Sequence, residues 1–164
     1  MKQIFILLTK YADYISTLVY YLGGRGYTHS SIALEEDPTR YYSFNYKGFA
    51  VETLEKHKKR GVRHSRLYQL QVSDEVYEKI RKQIQHFCEN RDDYSYTKLG
   101  LFCCMLHLPL HWKQHYFCSQ FVAELLTNSG ALLLPKSPCR YLLNHFIQLM
   151  EHQPCLVHTA LDVI

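Results

Sequence analysis

The chain has 164 residues, 47% of them hydrophobic, 14% aromatic and 21% charged, with a formal net charge of +4. That length is about one domain with one core, and the composition excludes an intrinsically disordered chain. No apolar run approaches the roughly 18 residues that a membrane-spanning helix needs, and a charge this modest names no nucleic-acid partner.

The N-terminal segment from Met1 to Lys10 has only five consecutive apolar residues, Ile4 to Leu8. It lacks the length and small-residue cleavage site of a signal peptide and reads as a buried strand. Asp13 is placed to cap a helix in which Ile15, Leu18, Val19 and Leu22 fall on one side, with Gly23-Gly24 as its stop. Tyr27 to Leu34 is extended, with Ile32 and Leu34 on one face and His29, Ser31 and Ala33 on the other. The turn Glu35-Glu36-Asp37-Pro38 returns the chain as Arg40 to Tyr46. Gly48 to Thr53 is a further short extended piece.

The basic run Lys56 to Arg66 reads as a solvated hairpin or loop, because no aromatic residues are interleaved for nucleic-acid stacking. Arg66 to Val72 alternates as a strand. Ser73 then caps a helix whose inner stripe is Val76, Ile80, Ile84 and Phe87. Tyr94 to Leu106 reads as helix, Leu108 to Gln114 as a loop, and Tyr116 to Asn128 as a helix with one core face. A last helix runs from Ser137 or Cys139 onward to Met150, and Leu156 to His158 is extended. The order implies an α+β fold in a single domain over residues 1–164. Six cysteines without an export signal fit reduced thiols and a cytoplasmic location.

Cys118 stands at the opening of the helix bounded by Tyr116 and Asn128. Unpaired amides and the positive helix end stabilise a thiolate there, which is what a thiol nucleophile requires; a small core cysteine is the plain alternative. Its base would be a histidine. His29 shares its face with small residues that leave room for an imidazole. His107, His111 and His115 have the spacing of a metal face, but Pro109 interrupts the helix and no carboxylate lies within the run, so no metal or other cofactor is expected.

The blocks Tyr27-Thr28-His29-Ser30-Ser31-Ile32-Ala33-Leu34, Tyr42-Ser43-Phe44 with Gly48-Phe49 and Glu52, and Tyr116-Phe117-Cys118-Ser119-Gln120-Phe121-Val122-Ala123 together resemble the circularly permuted NlpC-type papain-like cysteine hydrolases, within them the YiiX-like branch. The lecithin:retinol acyltransferase group shares the order, histidine first and cysteine last. The resemblance runs from about Ile4 to Gly130. It implies a papain-like fold with a small antiparallel sheet packed on helices, Cys118 as nucleophile, His29 as base and acid, and the Cys118 backbone amide in an oxyanion hole. It also implies a polar group on the following strand to hold the imidazole. That position matches Ser43, a weaker acceptor than many relatives carry. Asn45, on the same strand face, and Glu52, which reads more simply as an exposed strand end, are the alternatives. Tyr94 or Tyr96 would match the tyrosine near the oxyanion site, though core or surface tyrosine is the simpler reading of both.

The implied activity is peptidase or amidase cleavage through a Cys118 acyl-enzyme, on a peptide, amide or isopeptide substrate. Lipid-ester hydrolysis or acyl transfer, and a non-catalytic binding module on the same fold, are the alternatives.

Overall fold

The computed structural model describes residues 1–22 and 26–164. Its sheet is built outward from the N-terminal strand β1 (Lys2–Thr9), whose apolar run is buried on both faces: Ile4, Ile6 and Leu8 enter the main core, and Leu7 enters a smaller cluster behind the sheet. On its flanks lie β2 (His29–Leu34) and β5 (Ser65–Val72), both antiparallel to it. With β3 (Asp37–Asn45), β4 (Gly48–Glu52) and β8 (Leu156–Leu161) the sheet has six strands in the order β4-β3-β2-β1-β5-β8, and every neighbouring pair is antiparallel.

The helix α1 (Tyr14–Leu22) begins as its sequence implies, with both Asp13 carboxylate oxygens accepting from Ser16, from its amide at 2.9 Å and its hydroxyl at 2.8 Å. Val19 is buried but Leu18 is exposed, so the expected stripe does not hold at that position. The side chains of Ile15 and Leu22, and the stop at Gly23-Gly24, lie outside the described residues.

One sheet face carries the main core, against α3 (Asp74–Glu89) and α5 (Cys118–Ser129). Ser73 caps α3 by accepting from the Val76 amide. Tyr77, Ile80, Ile84 and Phe87 turn inward, with Val76 only half-buried. Around most of its circumference α5 is buried, not along one face as its periodicity implied; only Glu124, Thr127 and Asn128 reach solvent. Gly130, at φ +80°, closes α5 in the left-handed conformation that favours glycine.

Four expectations are corrected. The segment read as a basic loop forms the helix α2 (Leu54–Lys59): Thr53 caps it, Glu55 sits in its first turn, and its lysines crowd the C-terminal end, where the helix dipole favours cations. Leu54 and His57, three residues apart, turn onto the smaller cluster and the buried carboxylate beside it. Tyr94 to Leu106 is not continuous helix. Ser95–Tyr96 forms a short strand, β6, and Thr97 then caps α4 (Lys98–Met105). Tyr116 belongs to β7 (His115–Tyr116), which pairs in parallel with β6. The last helix, α6 (Leu143–Met150), starts later than Ser137 or Cys139, because Pro138–Arg140 forms a separate 3-10 turn that ends at extended Tyr141. No helix among the described residues is long and apolar enough to cross a membrane.

Candidate active site

Two chain segments bring Cys118 and His29 together. Phe117, fully buried, anchors the entry to α5 and its carbonyl accepts from the Phe121 amide, which fixes Cys118 as the first residue of the helix. Amides in a helix's first turn have no acceptor within the helix, so the Cys118 N–H is a donor at the mouth of the site. His29 is the first residue of β2, against which α5 packs. Cys118 and His29 are each 7% exposed and line one cleft.

Their electrostatics are coupled. Burial pushes the Cys118 thiol up, but hydrogen bonding and positive charge from His29, with support from the Ser30 amide, outweigh it and hold the thiol below its ordinary value. For His29 burial opposes protonation. The Glu52 charge, hydrogen bonding to Cys118 and the bond to Glu52 overcome it and raise the imidazole to about 10. Both shifts run toward a thiolate beside an imidazolium.

The imidazole is held by Glu52, whose Oε2 lies 2.7 Å from His29 Nε2. With Nε2 engaged, Nδ1 is the ring nitrogen left for the sulfur. Glu52 is not an exposed strand end: it is 1% exposed. Burial would raise its carboxyl, but the His29 charge and hydrogen bond and then the His57 charge lower it to about 2. Ser43 does not fill this role. Ile32 pairs with Tyr42, which sets Ser43 opposite Ser31, two positions away from the partner of His29, and its hydroxyl donates to the Ser30 carbonyl at 2.6 Å. Asn45 contacts the carboxylate instead of the imidazole, with Nδ2 3.4 Å from Glu52 Oε1.

Beneath Glu52 lie groups that sequence reasoning passed over. Fully buried His57 has Nε2 3.8 Å from Glu52 Oε2, and its Nδ1 is hydrogen-bonded to the Tyr11 hydroxyl. A proton on His57 Nε2 faces the carboxylate attractively, so Nδ1 is the acceptor and Tyr11 the donor. Burial lowers His57 to about 4 and raises Tyr11 to about 12, leaving both neutral. Arg60 Nη1 approaches Glu52 Oε1 at 3.4 Å. The available signal was the spacing of Leu54 and His57 on one face of a lysine-rich helix capped by Thr53.

The cleft, with about 90 Å³ of space, has polar walls from Tyr11, Asn45 and Arg60 and apolar ones from Val19, Leu101 and Leu142. Tyr96 lines it, and burial together with the Cys118 charge raises its hydroxyl above the ordinary phenol value. Tyr96 pairs with Tyr116, the residue two before the cysteine, which explains its place at the cleft. Tyr94 instead packs on Phe87, with ring centroids 4.6 Å apart, and takes no part in the cleft. His107 and His111 are exposed in the loop after α4, and His115 stacks on Trp112 at 4.2 Å. No protein-family model and no curated protein matches the sequence.

Proposed function

We propose that this chain is a thiol hydrolase that cleaves an amide or ester bond through a Cys118 acyl-enzyme. The observation that carries the reading is the buried Cys118–His29–Glu52 row at the start of a helix, with the thiol lowered and the imidazole raised toward an ion pair. The resemblance of the blocks around His29 and Cys118 to permuted NlpC-type papain-like hydrolases points the same way. A non-catalytic module on this fold drew its argument from a weak third residue, and a buried carboxylate on His29 removes that argument.

The Cys118 thiolate adds to the substrate carbonyl carbon, and the resulting oxyanion takes the Cys118 N–H as a donor. Tyr96, with its hydroxyl kept neutral, is the second donor in the cleft. Imidazolium His29 gives its proton to the leaving amine or alcohol as the carbon–heteroatom bond breaks, leaving a thioester. Neutral His29 then takes a proton from water, whose oxygen adds to the thioester carbonyl. Collapse of that adduct releases the carboxylic acid and returns the thiolate, while Glu52 holds the ring throughout.

The test is the pH dependence of Cys118 alkylation, read by mass spectrometry in the native protein and in His29→Ala. Rapid labelling below the ordinary thiol range near pH 8.5, lost in His29→Ala, supports an activated pair and justifies screening amide and ester substrates. Ordinary thiol behaviour in both proteins refutes it.

A further inference from the structure

The helix α4 is apolar on both sides. Leu101, Cys104 and Met105 are buried, while Leu99, Phe102 and Leu106, three and four residues apart, form an outer stripe in which each side chain is between 47% and 54% exposed. Leu108 and Trp112, 53% and 51% exposed, continue the apolar surface into the loop beyond. A helix apolar all round belongs in an interior or against a partner, and grouped exposed side chains of this size mark a contact surface.

Charge identifies the partner. From Tyr94 to Ala123 there is no aspartate or glutamate, whereas Lys98 and Lys113 flank the exposed side chains and His107, His111 and His115 lie in the same stretch. Apolar anchors flanked in sequence by lysines, in a stretch without carboxylates, complement anionic headgroups above acyl chains. We propose that α4 and the loop to Gln114 dock on an anionic membrane surface, with Phe102, Leu106 and Trp112 entering the headgroup layer and Lys98 and Lys113 against the lipid charges. On its inner side the same helix supplies Leu101 to the cleft that holds Cys118, so a docked chain carries a wall of its cleft at the bilayer. This docking stands independently of the chemistry assigned to Cys118.

Sedimentation of the full chain with vesicles of phosphatidylcholine alone, or of phosphatidylcholine with one third phosphatidylserine, tests the assignment. The expected result is binding to the anionic vesicles that weakens as salt rises, with at least about tenfold lower affinity in Phe102→Ser or Leu106→Ser. The Lys98→Glu, Lys113→Glu double variant is expected to lose about tenfold on anionic vesicles and little on neutral ones. Circular dichroism and Cys118 alkylation by a soluble reagent should match the native protein in every variant, so a failure of docking is distinguishable from a failure of the thiol reading. Absence of binding to anionic vesicles, equal binding to both compositions, or binding untouched by Phe102→Ser overturns the proposal. A concentration-dependent dimer abolished by Phe102→Ser, with no vesicle binding, overturns it in favour of a second copy of the chain.

Discussion

Replacing Glu52 by glutamine keeps the side chain's shape and an oxygen acceptor for His29 Nε2 while removing the charge that favours the imidazolium. At the observed separation of 2.7 Å, two unit charges in an effective dielectric of about 20 attract by about 6 kcal/mol, an upper figure because Arg60 and His57 share the same carboxylate. If only a third of it, about 2 kcal/mol, is lost, the imidazolium–thiolate population falls about thirtyfold relative to the neutral pair. The assay is alkylation of Cys118 from pH 5 upward, read by mass spectrometry in the native chain and in Glu52→Gln. In the native chain the rate should rise as pH passes the lowered thiol pKa and hold a plateau until His29 gives up its proton near pH 10. In Glu52→Gln the upper end of the plateau should move down by about 1.5 pH units, the equivalent of about 2 kcal/mol. An unchanged profile in a correctly folded Glu52→Gln protein refutes the assignment of Glu52 as the group that holds and charges His29.

Three further outcomes are expected. Ser43→Ala should leave the alkylation profile unchanged and cost about 1 kcal/mol in urea unfolding, for the lost hydrogen bond to the Ser30 carbonyl; slower alkylation would return Ser43 to the orienting role. His57, lowered from 6.5 in the unfolded chain to about 4 in the fold, contributes stability that is present above pH 6.5 and lost as pH falls toward 4, up to about 3 kcal/mol. Urea midpoints at pH 7.5 and 4.5 measure this loss, and His57→Asn should reduce it. Gly130→Ala should cost about 1 kcal/mol in a thermal melt, because its φ of +80° strains any residue with a Cβ although nothing lies within 4 Å.

Elements whose period matches a single burial pattern were legible. The five-residue apolar run gave β1, alternation gave β2 and β5, and a capped helical stripe gave α3. Cys118 and His29 were legible because each depends on local placement, a helix start and a strand start. The imidazole's partner was not. Ser43 lies on the strand after His29, as sought, but the pairing of Ile32 with Tyr42 sets it opposite Ser31 and its hydroxyl is spent on the Ser30 carbonyl. Glu52 ends its strand, where a carboxylate ordinarily meets water; α2 covers it, and α2 was hidden inside a lysine run that reads as solvated charge. A buried network of this kind exists only after β2, β4 and α2 have come together.

One carboxylate beside two imidazoles decides where the positive charge resides. Glu52 touches His29 at 2.7 Å but stands 3.8 Å from His57, and the two imidazole centroids are 6.1 Å apart. Charging both rings would cost about 3 kcal/mol in mutual repulsion at an effective dielectric of about 20, with Arg60 and Lys56 adding to the cost at His57. The single charge therefore settles on His29, which alone faces the thiolate as well as the carboxylate. His57, kept neutral by its burial and by these cations, braces Glu52 and Tyr11 without drawing the charge away from the ring that Cys118 needs. The opposite shifts of the two histidines have a common cause: His29's stability contribution is fully present below pH 6.5 and lost toward 10, while that of His57 is present above pH 6.5 and lost toward 4. The histidine part of the pH-stability curve must then peak near pH 6.5, with the acid limb assigned to His57 and the alkaline limb to His29.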